Sequence, residues 1–353
     1  MTPGTTARSL AALALLATRA ASASDEGARG EGDGISFEAG GLLQIQTDTL
    51  SAPPGPPWRI RARRARPYAE MRVGSWFVGR VEPDFATSRV FFNDAYVRLR
   101  PDPRFAMTIG RSGRPFGVVD DVSARDILPI ERGARMRGVR ALDHYALLEE
   151  VAYAGRSFGV AAGGEFPGAL GFTYTIGFYR GGVGEEDDRG GDIEQFAGRV
   201  TIEPARHARL GASLTNRNFG CDACARGETR RGTAFGADLL YGEFGERGPL
   251  ALLAVSAGTL DPFSGAHFVS GQIWLAYRYG VASGPFVDVE PLLRVSHGRP
   301  EGERAKLGGT LVTPGLNLYL GAKHRWMIDL DLWIPRGVVP VASSLKTQLQ
   351  LAL

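Results

Sequence analysis

From Ile35 to the C-terminus, apolar and polar residues alternate one by one over stretches of roughly ten residues, divided by turn formers. Gly41 to Asp48 sets Leu42, Gln44 and Gln46 against Leu43, Ile45 and Thr47. Thr173 to Tyr179 reads T-Y-T-I-G-F-Y, and Gln272 to Tyr279 is rich in aromatics. Arg325 to Ile334 sets Trp326, Ile328, Leu330 and Leu332 against Met327, Asp329, Asp331 and Trp333. A period of two predicts strands. Sixteen are expected, over 35–47, 58–72, 76–86, 91–100, 105–111, 150–164, 170–179, 193–203, 208–218, 233–243, 250–260, 267–279, 285–297, 308–320, 324–334 and 343–353. A helical period persists only around Ala124 to Leu148.

The connections between these strands alternate in length. Pro101 to Arg104, Pro204 to His207, Gly245 to Pro249 and Ala322 to His324 are tight turns, whereas 48–57, 112–149, 180–192, 219–232 and 298–307 are longer. An even strand number, with short turns on one rim and long loops on the other, is the arrangement of outer-membrane barrels. A soluble sandwich has no reason to sort its loops by parity. The expected fold is therefore all-β, a transmembrane antiparallel β-barrel of about 16 strands. Charge follows the same parity: Phe77, Val81 and Phe85 would face lipid, with Arg80, Glu82 and Asp84 opposite. Likewise Ala95, Val97 and Leu99 face out, while Asp94, Tyr96, Arg98 and Arg100 face in. Charges sharing the inner parity imply a water-filled lumen.

Composition narrows the picture. An apolar share of 44% excludes intrinsic disorder, and two cysteines exclude a disulfide-framed mini-protein. A net charge of +3 is too small for nucleic-acid binding by bulk electrostatics. After the N-terminus, the longest apolar run is Pro249 to Ala257, far below the roughly 18 residues of a helical span. The 48 glycines follow no collagen period and suit the bends and bulges of a barrel. Met1 to Arg8, the apolar Leu10 to Ala17 and Ala21-Ser22-Ala23 read as a secretory signal peptide over 1–23. Residues 24–34 form a polar, Gly-rich segment expected to be flexible, and the barrel occupies 35–353.

The chemistry lies in the basic residues. Only Lys306, Lys323 and Lys346 among the 41 basic side chains are lysines. Either a GC-rich genome or selection for guanidinium forks accounts for that. Arg59, Arg61 and Arg63 share one face, the parity breaks at Arg63-Arg64, and Arg64, Arg66 and Arg72 fall on the other. A bulge would keep both sets inward; otherwise some snorkel at the headgroup rim. Arg111 and Arg114 flank the start of the longest loop, and Arg132, Arg135, Arg137 and Arg140 lie within it. A ladder of positive side chains selects anions in a narrow pore. Arg59, Arg61, Arg63, Arg80, Arg98, Arg100, Arg111, Arg114 and Arg132 are the candidate pore and anion-binding residues. Asp120, Asp121, Asp126, Glu131, Asp143, Glu149 and Glu150 share the loop and would offset them. Cys221 and Cys224 are expected to form a local disulfide in an outer loop. The five scattered histidines suggest no metal, and no cofactor motif is present.

Residues 61–140 resemble the phosphate-selective porin O and P family. The resemblance rests on Arg63-Arg64-Ala65-Arg66, Gly74-Ser75-Trp76, Glu82-Pro83-Asp84-Phe85-Ala86 and Asn93-Asp94-Ala95-Tyr96-Val97, followed by Ile109 to Gly117 and Ile130-Glu131-Arg132. It implies a sixteen-stranded, usually trimeric outer-membrane channel whose third loop folds into the lumen. Two features depart from the family pattern: the chain ends on Leu353 rather than Phe, and the pore lysines are missing. The expected function is passive diffusion of small anions, phosphate or other oxyanions included, with outer-membrane lipid and lipopolysaccharide as surroundings. The rivals are a barrel enzyme of lipase or protease type, with His267 and Ser270 as its candidate pair, and a loop-plugged structural barrel.

Overall fold

The computed structural model describes residues 34–49, 58–168, 170–180, 194–220, 228–321, 323–337 and 340–353. Sixteen strands form one closed antiparallel barrel. They are β1 (Ile35–Thr49), β2 (Trp58–Val73), β3 (Phe77–Asp84), β4 (Phe91–Asp102), β5 (Phe105–Gly113), β6 (Arg156–Phe166), β7 (Phe172–Tyr179) and β8 (Gln195–Ala205). The second half comprises β9 (Ala208–Gly220), β10 (Thr229–Tyr241), β11 (Gly248–Asp261), β12 (Ala266–Ser283), β13 (Phe286–Pro300), β14 (Gly309–Tyr319), β15 (Arg325–Pro335) and β16 (Ala342–Ala352). The ring closes where β1 pairs with β16, from Leu42 opposite Ala352 to Asp48 opposite Lys346.

Every expected strand is present, with shifted ends. β6 starts at Arg156 rather than 150, because the preceding residues finish the longest loop. The expected helical stretch from Ala124 to Leu148 is mostly turns. Among the described residues, α-helix forms only in α1 (Val118–Asp121) and α2 (His144–Glu150), the latter capped by the Asp143 side chain accepting from the Ala146 amide at 3.1 Å. A 3₁₀ turn covers Gly302–Leu307. The β1–β2 register shifts between Gln44 and Ile45 of β1: Gln44 faces Arg64, Ile45 faces Ala62, and Arg63 is the extra residue of β2. That bulge turns both arginine sets inward.

The barrel is apolar outside and polar inside. Leu43, Ile45, Leu293, Leu330, Leu345 and Leu349 point outward and are exposed, while Gln44, Arg294, Asp329, Asp331, Lys346 and Gln350 point inward and are buried. Aromatics gather at both ends, with Trp58, Phe178 and Phe196 near the long loops and Phe105, Tyr241, Tyr277 and Trp326 near the short turns. Such a surface is stable only against hydrocarbon, where closure leaves no unpaired strand edge.

The β5–β6 connection, residues 114–155, folds into the barrel. Its Phe116, Val119, Ile127, Leu128, Leu147 and Leu148 form one cluster with wall residues of β10 to β13. Hence β11 turns Leu250, Leu252 and Leu260 inward, against the polar rule of the other strands. The outer apolar belt yields a test. Leu330→Arg, outward in the middle of β15, should cost about 2–4 kcal/mol of unfolding free energy in lipid vesicles. Urea titration by tryptophan fluorescence measures this, and an unchanged midpoint would place that face in water.

Candidate functional site: the lumen wall and the inner loop

Residues 114–155 carry little regular structure, so their buried carbonyls need donors from elsewhere. Arginine supplies them, with five N–H groups in a fixed fork and no acceptor. Arg294 of β13 donates to the Glu131 and Arg132 carbonyls at 2.6 and 3.0 Å. Arg325 of β15 donates to those of Arg125 and Ile127 at 2.8 and 2.7 Å. Arg217 of β9 reaches the Val151 carbonyl at 2.7 Å. Amides and carboxylates complete the seam: Asn317 and Gln350 donate to the Leu128 and Arg125 carbonyls, and the Ile130 amide donates to Asp329 at 2.7 Å.

These bonds pin the loop over β8 to β16, whose inward side chains are buried beneath it. On β2 to β4 part of the wall stays accessible, beside the buried Arg64, Glu70, Glu82 and Asp84: Arg61 is 34% exposed, Arg80 20%, and Arg72 and Arg98 are exposed. The open part of the lumen therefore lies between this wall and the loop. Cross-strand register stacks its side chains in rows, one running Glu70, Arg80, Tyr96 and Gly110, the next Arg72, Val78, Arg98 and Thr108. Gly110 ends its row with φ of +125°, where a Cβ would lie 2.3 Å from the Ala95 carbonyl oxygen, so only glycine fits.

Most of the wall's acids are paired. Asp48 holds Arg59 at 2.6 Å and Arg61 at 3.7 Å. Glu70 pairs with Arg72 and Arg80, Glu82 with Arg80, Asp84 with Arg66 and Asp94 with Arg156. Arg98 instead donates to Thr108 at 3.1 Å and lies over the Tyr96 ring, and Arg64 donates to Gln44. Neither has a carboxylate within ion-pair distance among the described residues. Tyr68 carries two guanidinium groups on its ring, Arg80 from β3 at 4.4 Å and Arg125 from the loop at 4.6 Å. Loop and wall thus meet here through cations stacked on one ring.

The sequence candidates divide by position. Arg59, Arg61, Arg63, Arg80 and Arg98 are spread along the inner face of β2 to β4, with Arg59 near the long loops and Arg98 nearer the short turns, and Arg100 sits near the short-turn rim, 3.7 Å from Glu165. Arg111 is buried and donates to the Phe92 carbonyl. Arg114 and Arg132 lie within the packing of the loop: Arg114 is 1% exposed and bonds Ala152 and Gln195, while Arg132 bonds the Val119 and Val122 carbonyls. Arg217, Arg294 and Arg325, which hold the loop, escaped the sequence reading. Their inward parity was legible, but the carbonyls they meet come from a distant segment. Cys221 and Cys224 lie outside the described residues.

One contact latches the loop to the open wall. Arg63 donates to both Glu131 oxygens, at 2.6 and 2.8 Å. Burial alone would raise the Glu131 carboxyl, but the Arg63 guanidinium holds it well below the usual carboxylate range. Farther along the loop, burial pushes His144 down to about 4 and keeps it neutral. His144 Nδ1 lies 2.9 Å from Ser270 Oγ, and both residues are buried. The cavity beside His144, about 10 Å³, admits one water at most. His267 points outward while Ser270 points inward, so the sequence-derived Ser/His pair does not meet.

No family model matches the chain, and no curated protein does. Solved structures match over most of its length. The anion-selective porin from Comamonas acidovorans is 12% identical, with a TM-score of 0.62 over 91% of this chain and all of that one. The outer membrane channel DcaP of Acinetobacter baumannii is 11% identical, with a TM-score of 0.61 over 91% and 98% of the two chains. Salmonella typhi OmpF, in complex with daunomycin, is 10% identical, with a TM-score of 0.60 over the same shares. The chain shares their fold.

The latch makes a second test. Removing one partner of a buried pair costs about 3–5 kcal/mol, and Arg63 keeps 17% exposure, so the lower end applies. Because the folded pKa of Glu131 is depressed, docking is strongest above its unfolded value of about 4.3. Docking is lost as pH falls through the lower folded value. Glu131→Gln should therefore let trypsin cut the loop at pH 7, where the wild-type loop should resist cleavage. Equal cleavage of both proteins at pH 7 would show that the latch is dispensable.

Proposed function

We propose that this chain is an outer-membrane porin through which small anions diffuse passively. One observation carries the reading: inside an apolar-faced barrel, the accessible strip between loop and β2–β4 wall is lined by arginines, and the exposed Arg98 there has no carboxylate partner among the described residues. Charges on low-dielectric walls around a narrow aqueous path focus the field and raise the local anion concentration. A guanidinium also grips an oxyanion bidentately, which favours phosphate-like solutes over chloride in residence time. The resemblance over residues 61–140 supports phosphate within that class. The fold shared with an anion-selective porin supports the coarser reading. The expected export signal over 1–23, the outer-membrane address, a Cys221–Cys224 disulfide and a homotrimer, as in the trimer form of the Vibrio cholerae outer membrane protein OmpT, belong to the same proposal.

A channel needs no chemistry, and the buried His144–Ser270 contact offers none to a substrate. Planar-bilayer recording decides the matter. Wild type should conduct in discrete steps and reverse on the anion side in a salt gradient. Arg61→Gln with Arg98→Gln should move the reversal potential toward cations. The shift should be larger near 0.01 M salt, where the Debye length is about 30 Å, than at 0.1 M, where it is about 10 Å. Absence of steps would favour a plugged barrel, and cation preference in wild type would end the anion reading.

A further inference from the structure

Arg59, Arg61 and Arg63 are alternate residues of β2, and the middle one is held differently from its neighbours. Arg59 gives two hydrogen bonds to Asp48, at 3.1 and 2.6 Å, and Arg63 gives two to Glu131. Each carboxylate thus has a complete bidentate partner. Arg61 lies between them, 3.7 Å from Asp48 Oδ2 and 3.7 Å from Glu131 Oε1, and forms no hydrogen bond among the described residues. Its register partner on β1, Gln46, is fully buried and has neither amide atom paired. Three guanidinium groups against two carboxylates leave one positive charge over. The fork that carries it has no hydrogen-bond acceptor.

Arg61 also joins the two bodies that bound the open strip, since Asp48 belongs to the barrel wall and Glu131 to the loop. A planar fork without an acceptor matches an oxyanion bidentately and a halide poorly. An oxyanion seated there brings negative charge beside Glu131, a contact that salt screens little because Glu131 is buried. It repels the carboxylate that latches the loop and withdraws the second cation from it. We infer that Arg61 couples solute to latch: a phosphate-like oxyanion bound by its fork loosens the Glu131 contact, so the solute itself governs how firmly the loop is held. The inference rests on the porin reading, whose anion path runs past this residue. Coupling is reciprocal, so a weakened latch must tighten oxyanion binding by the same factor.

Hydrogen exchange of the loop over residues 127–134, read by mass spectrometry on the full chain in detergent at neutral pH, tests the coupling with inorganic phosphate as probe. Wild type should exchange about fivefold faster in phosphate than in sodium chloride of equal ionic strength. Arg61→Lys keeps the charge but loses the fork, and should exchange at the chloride rate in both salts, with Arg63 still holding Glu131. Equal exchange of wild type in the two salts, or an undiminished phosphate response in Arg61→Lys, would overturn the inference. Planar-bilayer recording reads the reciprocal effect. Glu131→Gln should lower the phosphate concentration that half-blocks chloride current about fivefold, and far less in an Arg61→Lys background. The same lowering in both backgrounds would assign the effect to lost charge alone and contradict the coupling. Absence of current from wild type would end the porin reading instead, while the exchange experiment still decides the coupling.

Discussion

A strand whose outer face meets hydrocarbon can hydrogen-bond only to its two neighbours. Meeting that demand sixteen times around a ring forces the β1–β16 seam, and the seam fixes everything inside it. Outward positions must be apolar, so polar residues collect within. A sixteen-membered ring is also too wide for its own side chains to fill. The vacant interior is where the rest of the molecule is decided.

The same demand then recurs in a different place. The β5–β6 loop enters the interior with few internal hydrogen bonds and many buried carbonyls. Leucines of β11 give its apolar face a surface to pack on, and arginines of β9, β13 and β15 satisfy its backbone. Carbonyls are satisfied by guanidinium groups without cancelling their charge. Arg217 and Arg325 accordingly bring positive charge under the loop with no carboxylate within ion-pair distance among the described residues. The device that holds the loop thus adds to the field proposed to draw anions along the opposite wall. Structure and proposed selectivity share one cause.

Strand number, loop parity and the β2 bulge were legible because each is written locally: alternation in ten residues, turn formers between them, and the broken parity at Arg63-Arg64. The inward course of the third loop came from resemblance, not from periodicity. What stayed hidden depends on distant contacts. The apolar run Pro249 to Ala257 looks like any buried strand, and nothing in it tells that its inner face meets the loop rather than water. Arg114 reads as a pore cation from its place beside the loop, but the fold surrounds it with Ala152 and Gln195. His144 and Ser270 are 126 residues apart and meet only because α2 lies against β12 and β13.

The central claim is that mobile anions occupy the strip between the loop and the β2–β4 wall. Anomalous diffraction from crystals soaked separately in bromide and in rubidium observes this without relying on transport. Bromide peaks beside Arg61, Arg80 and Arg98, with rubidium absent from the strip, are expected. Rubidium in that strip with no bromide, or neither ion anywhere within the barrel, would contradict the account.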